Sequence, residues 1–148
     1  MSVSRRALMG LALAAPVLAA CGTTEAARTA APTGSATSGG SVRLTDSRGV
    51  TVTLAQPATK VVTLEWGPTE DVLALGVTPV AVADPTNFTV WNSAVTLPAG
   101  TPDVGLRTEP SLESIAKAEP DLILGVTGSI PEAAIAQVEK IAPVFLLQ

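Results

Sequence analysis

The sequence predicts an α/β protein, a mainly parallel sheet with flanking helices preceded by a β-hairpin. Three observations carry that reading. Apolar runs of strand length recur from Val61 onward, and the segments between them open at Pro68, Ser111 and Pro131 and carry apolar residues at helical spacing. Strands that alternate with helices form right-handed crossovers, which set successive strands parallel and cover the sheet. Ahead of them, two runs alternate apolar and polar residues around a turn sequence, as a half-buried hairpin does.

The elements follow in order. Val42–Asp46 and Val50–Leu54 flank Ser47-Arg48-Gly49, which supplies turn residues where a hairpin needs them. Val61–Glu65 has the pattern of a buried strand. Gly67-Pro68-Thr69-Glu70 then opens a helix that reaches Leu75 and stops at Gly76, because proline suits a first turn and glycine an end. Val77-Thr78-Pro79 leads into a strand over Val80–Ala83. Asp84–Glu109, rich in Pro, Thr and Asn, reads as a loop long enough to be functional. Pro110-Ser111 starts a helix through Ala118, Asp121–Val126 is a strand, Pro131–Ile141 a helix and Val144–Leu147 a final strand.

Residues 1–20 read as a lipoprotein signal peptide. Arg5 and Arg6 precede an apolar run from Ala7 to Ala20 that ends in Leu18-Ala19-Ala20-Cys21, a small-residue cleavage pattern with a lipid attachment point at Cys21. The run is shorter than the roughly 20 residues that span a bilayer, and Pro16 interrupts it, which argues against a transmembrane or core helix. Ser4-Arg5-Arg6-Ala7-Leu8-Met9 resembles a twin-arginine signal, and general secretion fits as well. An anchored Cys21 would hold the protein on the outer face of the cytoplasmic membrane. Residues 21–41, almost wholly Gly, Ser, Thr and Ala, read as a flexible tether, and 42–148 as one folded unit.

Composition excludes several functions. Cys21 has no partner for a disulfide or thiolate cluster, and the chain has no histidine, so the commonest general base and zinc ligand are missing. No nucleophile and base are arranged for catalysis, so an enzyme is not expected. The chain has 9 basic and 13 acidic residues; loss of Arg5 and Arg6 leaves 7 against 13, a net of about −6. No nucleic acid is expected as a partner.

Ligands of parallel sheets collect at the carboxyl ends of the strands. Trp66 follows the first, the long loop with Phe88, Trp91 and Arg107 the second, and Thr127-Gly128-Ser129 the third. The chain has only four aromatic residues, and three of them fall in this region. Singly, a tryptophan reads as a packing residue and an arginine as a solvated or paired charge. Together they describe flat apolar faces beside one planar five-donor cation, suited to a bulky, oxygen-rich ligand.

Leu64-Glu65-Trp66, Leu73–Val77, Val82-Ala83-Asp84, Asn87–Trp91 and above all Asp103-Val104-Gly105-Leu106-Arg107-Thr108-Glu109-Pro110 resemble a known family. It is that of the substrate-binding lipoproteins of iron-siderophore ABC importers, closest to the ferric hydroxamate (FhuD-type) binding proteins. The resemblance implies the N-terminal lobe of a class III periplasmic binding protein, in which a long helix joins two α/β lobes. It further implies that Arg107 donates to hydroxamate oxygens, that Trp66 and Trp91 line the pocket, and that Glu113 docks onto an ABC permease. Read alone, Glu113 is an acid favoured by a helix's first turn. The implied ligand is a ferric siderophore that fills the iron's coordination shell itself, so no protein metal ligand or other cofactor is implied. The hydroxamate subgroup places a ligand-binding tyrosine where this chain has Val126-Thr127-Gly128-Ser129, and residues 42–148 are expected to form the N-terminal lobe with the family's second lobe absent. The alternative function is a truncated lobe that acts only as a surface interaction module, or a non-functional fragment, without carrying ligand.

Overall fold

The structure is a computed structural model that describes residues 40–148. The expected signal peptide, Cys21 and most of the expected tether lie outside the described residues. β1 (Val42–Thr45) and β2 (Thr51–Leu54) form the antiparallel hairpin, with Val42 opposite Leu54 and Thr45 opposite Thr51. β3 (Val61–Thr63), α1 (Trp66–Ala74) and β4 (Ala81–Val82) follow as one parallel crossover.

The expected long loop is corrected here: it contains α2 (Pro85–Trp91) and a small antiparallel ribbon of β5 (Gly105–Leu106) and β6 (Glu109–Pro110). Pro110 belongs to that ribbon rather than to a helix. α3 (Leu112–Lys117) begins after it, with the Ser111 hydroxyl accepting a hydrogen bond from the Ser114 N–H at 3.2 Å. β7 (Leu122–Val126), α4 (Glu132–Val138) and β8 (Val144–Leu147) complete the described residues.

β4, β3, β7 and β8 lie side by side in that order, each pair parallel, so the expected α/β sheet is present. The chain moves outward from β3 to β4, then returns to the other side of β3 for β7 and β8. That reversal is where such sheets open a crevice at their carboxyl ends. In β7, Ile123 and Gly125 are buried and alternate with half-buried Leu122, Leu124 and Val126, so the two faces differ. One face packs Val62, Ile123, Val144 and Leu146 against Ile115 of α3 and Ile135 and Val138 of α4. Gly125 permits that packing, because a Cβ there would lie 2.9 Å from Ile130 Cδ1 and 3.1 Å from Leu146 Cδ2.

The other face carries Leu122, Leu124, Phe145 and Leu147. Together with α1 and the inner side of the hairpin it bounds an apolar groove of about 490 Å³. Both sheet edges are occupied. Along β4, Val82 N–H donates to Pro102 O and Val82 O accepts from Val104 N–H, each at 3.0 Å. Along β8, Leu146 O accepts from Ser47 N–H at 3.0 Å and Val144 O from Arg48 Nη2 at 3.3 Å.

Two carboxylates tie this frame together. Asp46 is buried in the hairpin turn, where Oδ1 accepts from the Arg48 and Val50 N–H groups at 2.9 and 3.0 Å and Oδ2 from Arg48 Nε at 2.8 Å. Asp121 accepts from the Thr59 and Lys60 N–H groups at 2.8 and 2.9 Å, joining the starts of β7 and β3. Burial alone would raise both pKa values. The Arg48 side-chain and Val50 and Arg48 backbone hydrogen bonds more than offset it for Asp46, and the Thr59 and Lys60 bonds do so for Asp121. Both values therefore lie below the ordinary carboxylate range. The unfolded chain takes up these protons first, so the stability they confer is complete at neutral pH and lost as pH falls through about 4 and below. Thermal melts should show a level Tm from about pH 7 to 5 and a falling Tm beneath about 4, with Asp121→Asn removing part of the fall.

Candidate functional site

Three elements meet at the carboxyl ends of β3 and β4. The first is the junction of β3 and α1. Thr63 is fully buried and shares a hydrogen bond with the Thr69 hydroxyl at 2.6 Å, while Thr69 Oγ1 donates to Glu65 O at 2.8 Å. These bonds anchor the turn. Glu65, expected as the last residue of the strand, is instead extended backbone capping α1, and its Oε2 accepts from the Trp66 N–H at 3.1 Å. Trp66 opens the helix and leans on a cluster of Val82, Phe88 and Leu97.

The second element is the β5–β6 ribbon. Its position follows from Asp84, whose N–H donates to Gly105 O at 2.9 Å. Gly105 has a φ of +95°, and a Cβ there would lie 3.0 Å from Ser111 N, so the turn admits little but glycine. Arg107 and Thr108 form the ribbon's two-residue tip. From it the Arg107 guanidinium carbon lies 4.0 Å from the centroid of the Trp66 ring, and Nη1 donates to Glu65 Oε2 at 2.9 Å. Arg107 is 37% exposed and Glu65 13%. Stacking on an indole and pairing with a carboxylate fix a guanidinium in one plane.

The third element is α2. Asp84 adopts the left-handed region at φ 53°, with Oδ1 accepting from Asn87 Nδ2 at 2.9 Å, and turns the chain into Pro85 at the helix start. Phe88 is buried in the core cluster, so this aromatic residue is a packing residue. Trp91, at the end of the same helix, is 76% exposed.

The structure thus brings Trp66 and Arg107 into contact and leaves Trp91 a solvent-facing aromatic. Thr127 is engaged by the frame: its hydroxyl donates to Leu147 O at 3.1 Å and is hydrogen-bonded to the Ser47 hydroxyl. Glu113 is exposed in the first turn of α3. Sequence reasoning missed Glu65 as a partner of Arg107; the available signal was an acid just before a Gly-Pro helix start, a capping position. Trp66 Nε1 is buried and has no hydrogen-bond partner among the described residues, an uncommon state for an indole N–H. The site therefore offers a planar cation held over an indole, with the buried indole N–H beneath it left without a partner among the described residues.

The chain is 42% identical over 84 residues to the iron(3+)-hydroxamate-binding protein FhuD of Escherichia coli K12. That match covers 57% of this chain and 28% of the relative. Among solved structures it is similar to Fe3+-Desferal-bound siderophore-binding protein FhuD of Vibrio cholerae, with TM-score 0.55 and 38% identity over 60% of this chain and 32% of that one. It is also similar to the iron uptake ABC transporter substrate-binding protein PiuA of Streptococcus pneumoniae Canada MDR_19A. There the TM-score is 0.56 and the identity 28%, over 72% of this chain and 36% of that one. The chain thus spans about a third of the length of these relatives. Residues 61–148, more than half of the chain and all of the parallel sheet, match the family described as periplasmic binding protein, and the chain belongs to that family.

Proposed function

We propose that this chain is a ligand-binding lobe of an extracytoplasmic solute-binding protein that serves an iron-siderophore ABC importer. Its task is binding and delivery rather than catalysis. Ferric hydroxamates are the favoured ligand class. The observation that carries the reading is Arg107, held flat on Trp66 beyond the carboxyl end of β3, with Nη2 and Nε making no hydrogen bond among the described residues. Hydroxamate oxygens are acceptors that such a planar donor set fits, and the exposed Trp91 ring suits the chelator's organic body. The relatives named for iron-hydroxamate and Desferal binding support the ligand class. The iron stays within its chelator, so the protein supplies no metal ligand.

In this reading Trp91 is a second aromatic wall, Glu113 is the exposed acid that meets the permease, and Cys21 carries the lipid that keeps the protein at the outer face of the membrane. Quenching of tryptophan emission during titration with Fe(III)–Desferal tests the ligand. Saturable quenching is expected, and its absence overturns the reading. Arg107→Ala should weaken binding by about tenfold or more, since a hydrogen bond from a charged group contributes about 1.5–3 kcal/mol. Equal affinity in that variant would remove Arg107 from the site. Trp91→Ala should leave the Tm within about 4 °C, as surface substitutions generally change stability by less than about 0.5 kcal/mol, while weakening binding several-fold.

A further inference from the structure

Glu65 stands where the site's interactions converge. One oxygen, Oε2, accepts from the Trp66 N–H at 3.1 Å and from Arg107 Nη1 at 2.9 Å. The same residue therefore fixes the start of α1, and with it the indole, and also the guanidinium that lies across that indole. Glu65 is largely buried and Arg107 partly so, which keeps their charges less screened than a solvated surface pair. The pair cancels. The platform offered to a ligand is flat and rich in donors, yet electrically neutral.

We propose that Glu65 is a positioning residue that sets ligand specificity: by neutralising Arg107 and holding it flat on Trp66, it favours metal complexes without net charge over anionic ones. This rests on the siderophore reading given above and names the selection rule of that same site. Three hydroxamates balance the charge of a trivalent metal, so such a complex keeps hydrogen-bond acceptors without adding negative charge. A carboxylate chelate such as citrate leaves the complex anionic. It would bring like charge up to Glu65 while competing with it for Arg107. A lone arginine would have the opposite preference.

The test uses gallium(III), a diamagnetic trivalent stand-in for iron, with the isotopically labelled chain. Titrations with neutral gallium(III)–N-acetyl-Desferal and with anionic gallium(III)–citrate are followed on the Trp66 indole N–H signal. Glu65→Gln keeps the shape and the capping oxygen but removes the charge; Glu65→Asp keeps the charge. The wild-type chain should prefer the neutral complex by at least about tenfold. Glu65→Gln should lower that ratio about tenfold or more through a gain for citrate, and Glu65→Asp should restore most of it. A wild-type preference for citrate, or a ratio unchanged in Glu65→Gln, overturns the proposal. So does an equal loss of affinity for both complexes, which would make Glu65 a helix cap and nothing more. If neither complex moves the Trp66 signal of the wild-type chain, the siderophore reading falls and this proposal with it.

Discussion

Asp46→Ala is expected to lower the free energy of unfolding by about 3 kcal/mol, a large effect for a residue at a hairpin turn. The buried carboxylate accepts hydrogen bonds from two backbone N–H groups and pairs with Arg48 at 2.7 Å. Its removal strands both amides, each a penalty of about 1 kcal/mol or more, and leaves a partly buried guanidinium without its nearer counter-charge. Arg48 also donates to Glu139 at 2.8 Å and to Val144 O, so its disorder would loosen the hairpin from the far end of the chain. Urea unfolding measures the loss. Glu139→Gln provides the contrast: Glu139 is well exposed, and breaking its pair should change stability by less than about 1 kcal/mol. Equal effects from the two variants would mean that the network, not the buried carboxylate, carries the energy.

Phe88→Ala is expected to lower stability by about 3–4 kcal/mol and to abolish ligand binding along with it. Phe88 is the largest fully buried side chain among the described residues, and the cluster it forms with Val82 and Leu97 is what Trp66 rests on. A cavity there removes the support of the indole, so the Arg107 stack loses its floor. Chemical denaturation gives the stability and tryptophan quenching the binding. Phe88→Leu, which refills much of the volume, should recover most of both. Binding that survives Phe88→Ala in the folded chain would show that Trp66 is held by Glu65 and Arg107 alone.

The parts of the fold that repeat a strong period were legible in the sequence. Val61-Val62-Thr63, Leu122–Val126 and Val144–Leu147 are apolar runs whose only stable home is a covered sheet, and the hairpin announced itself by alternation. α2 was not legible. Its seven residues include Thr86, Thr89 and Val90, which are weak helix formers, and its sole buried side chain is Phe88, so its formation depends on packing against Val82 and Leu97 outside the helix. The β5–β6 ribbon is set by Asp84 and Gly105 across a gap of twenty residues, which no local pattern reveals. Within the site, the rule that ligands gather at strand ends placed Trp66 and Arg107 in one region. The ion pair with Glu65 required the backbone to turn at a helix cap, and Phe88 differs from Trp91, one turn on at the helix end, in packing against Val82 and Leu97.

The occupied sheet edges bear on how the chain avoids sticking to itself. An unpaired strand edge is a template for another chain, and here the outward carbonyls of β8 are taken by the hairpin turn, as Val82 of β4 is taken by residues 102–104. The two guards differ in when they can act. The one on β4 closes a loop of about twenty residues, whereas that on β8 joins Ser47 to Leu147, 100 positions away. A folding chain therefore shields one edge early and the other only after residues 144–147 have paired with β7. Until then β8 is an edge open to a neighbouring molecule, so dilution during refolding should favour its own hairpin over a second chain.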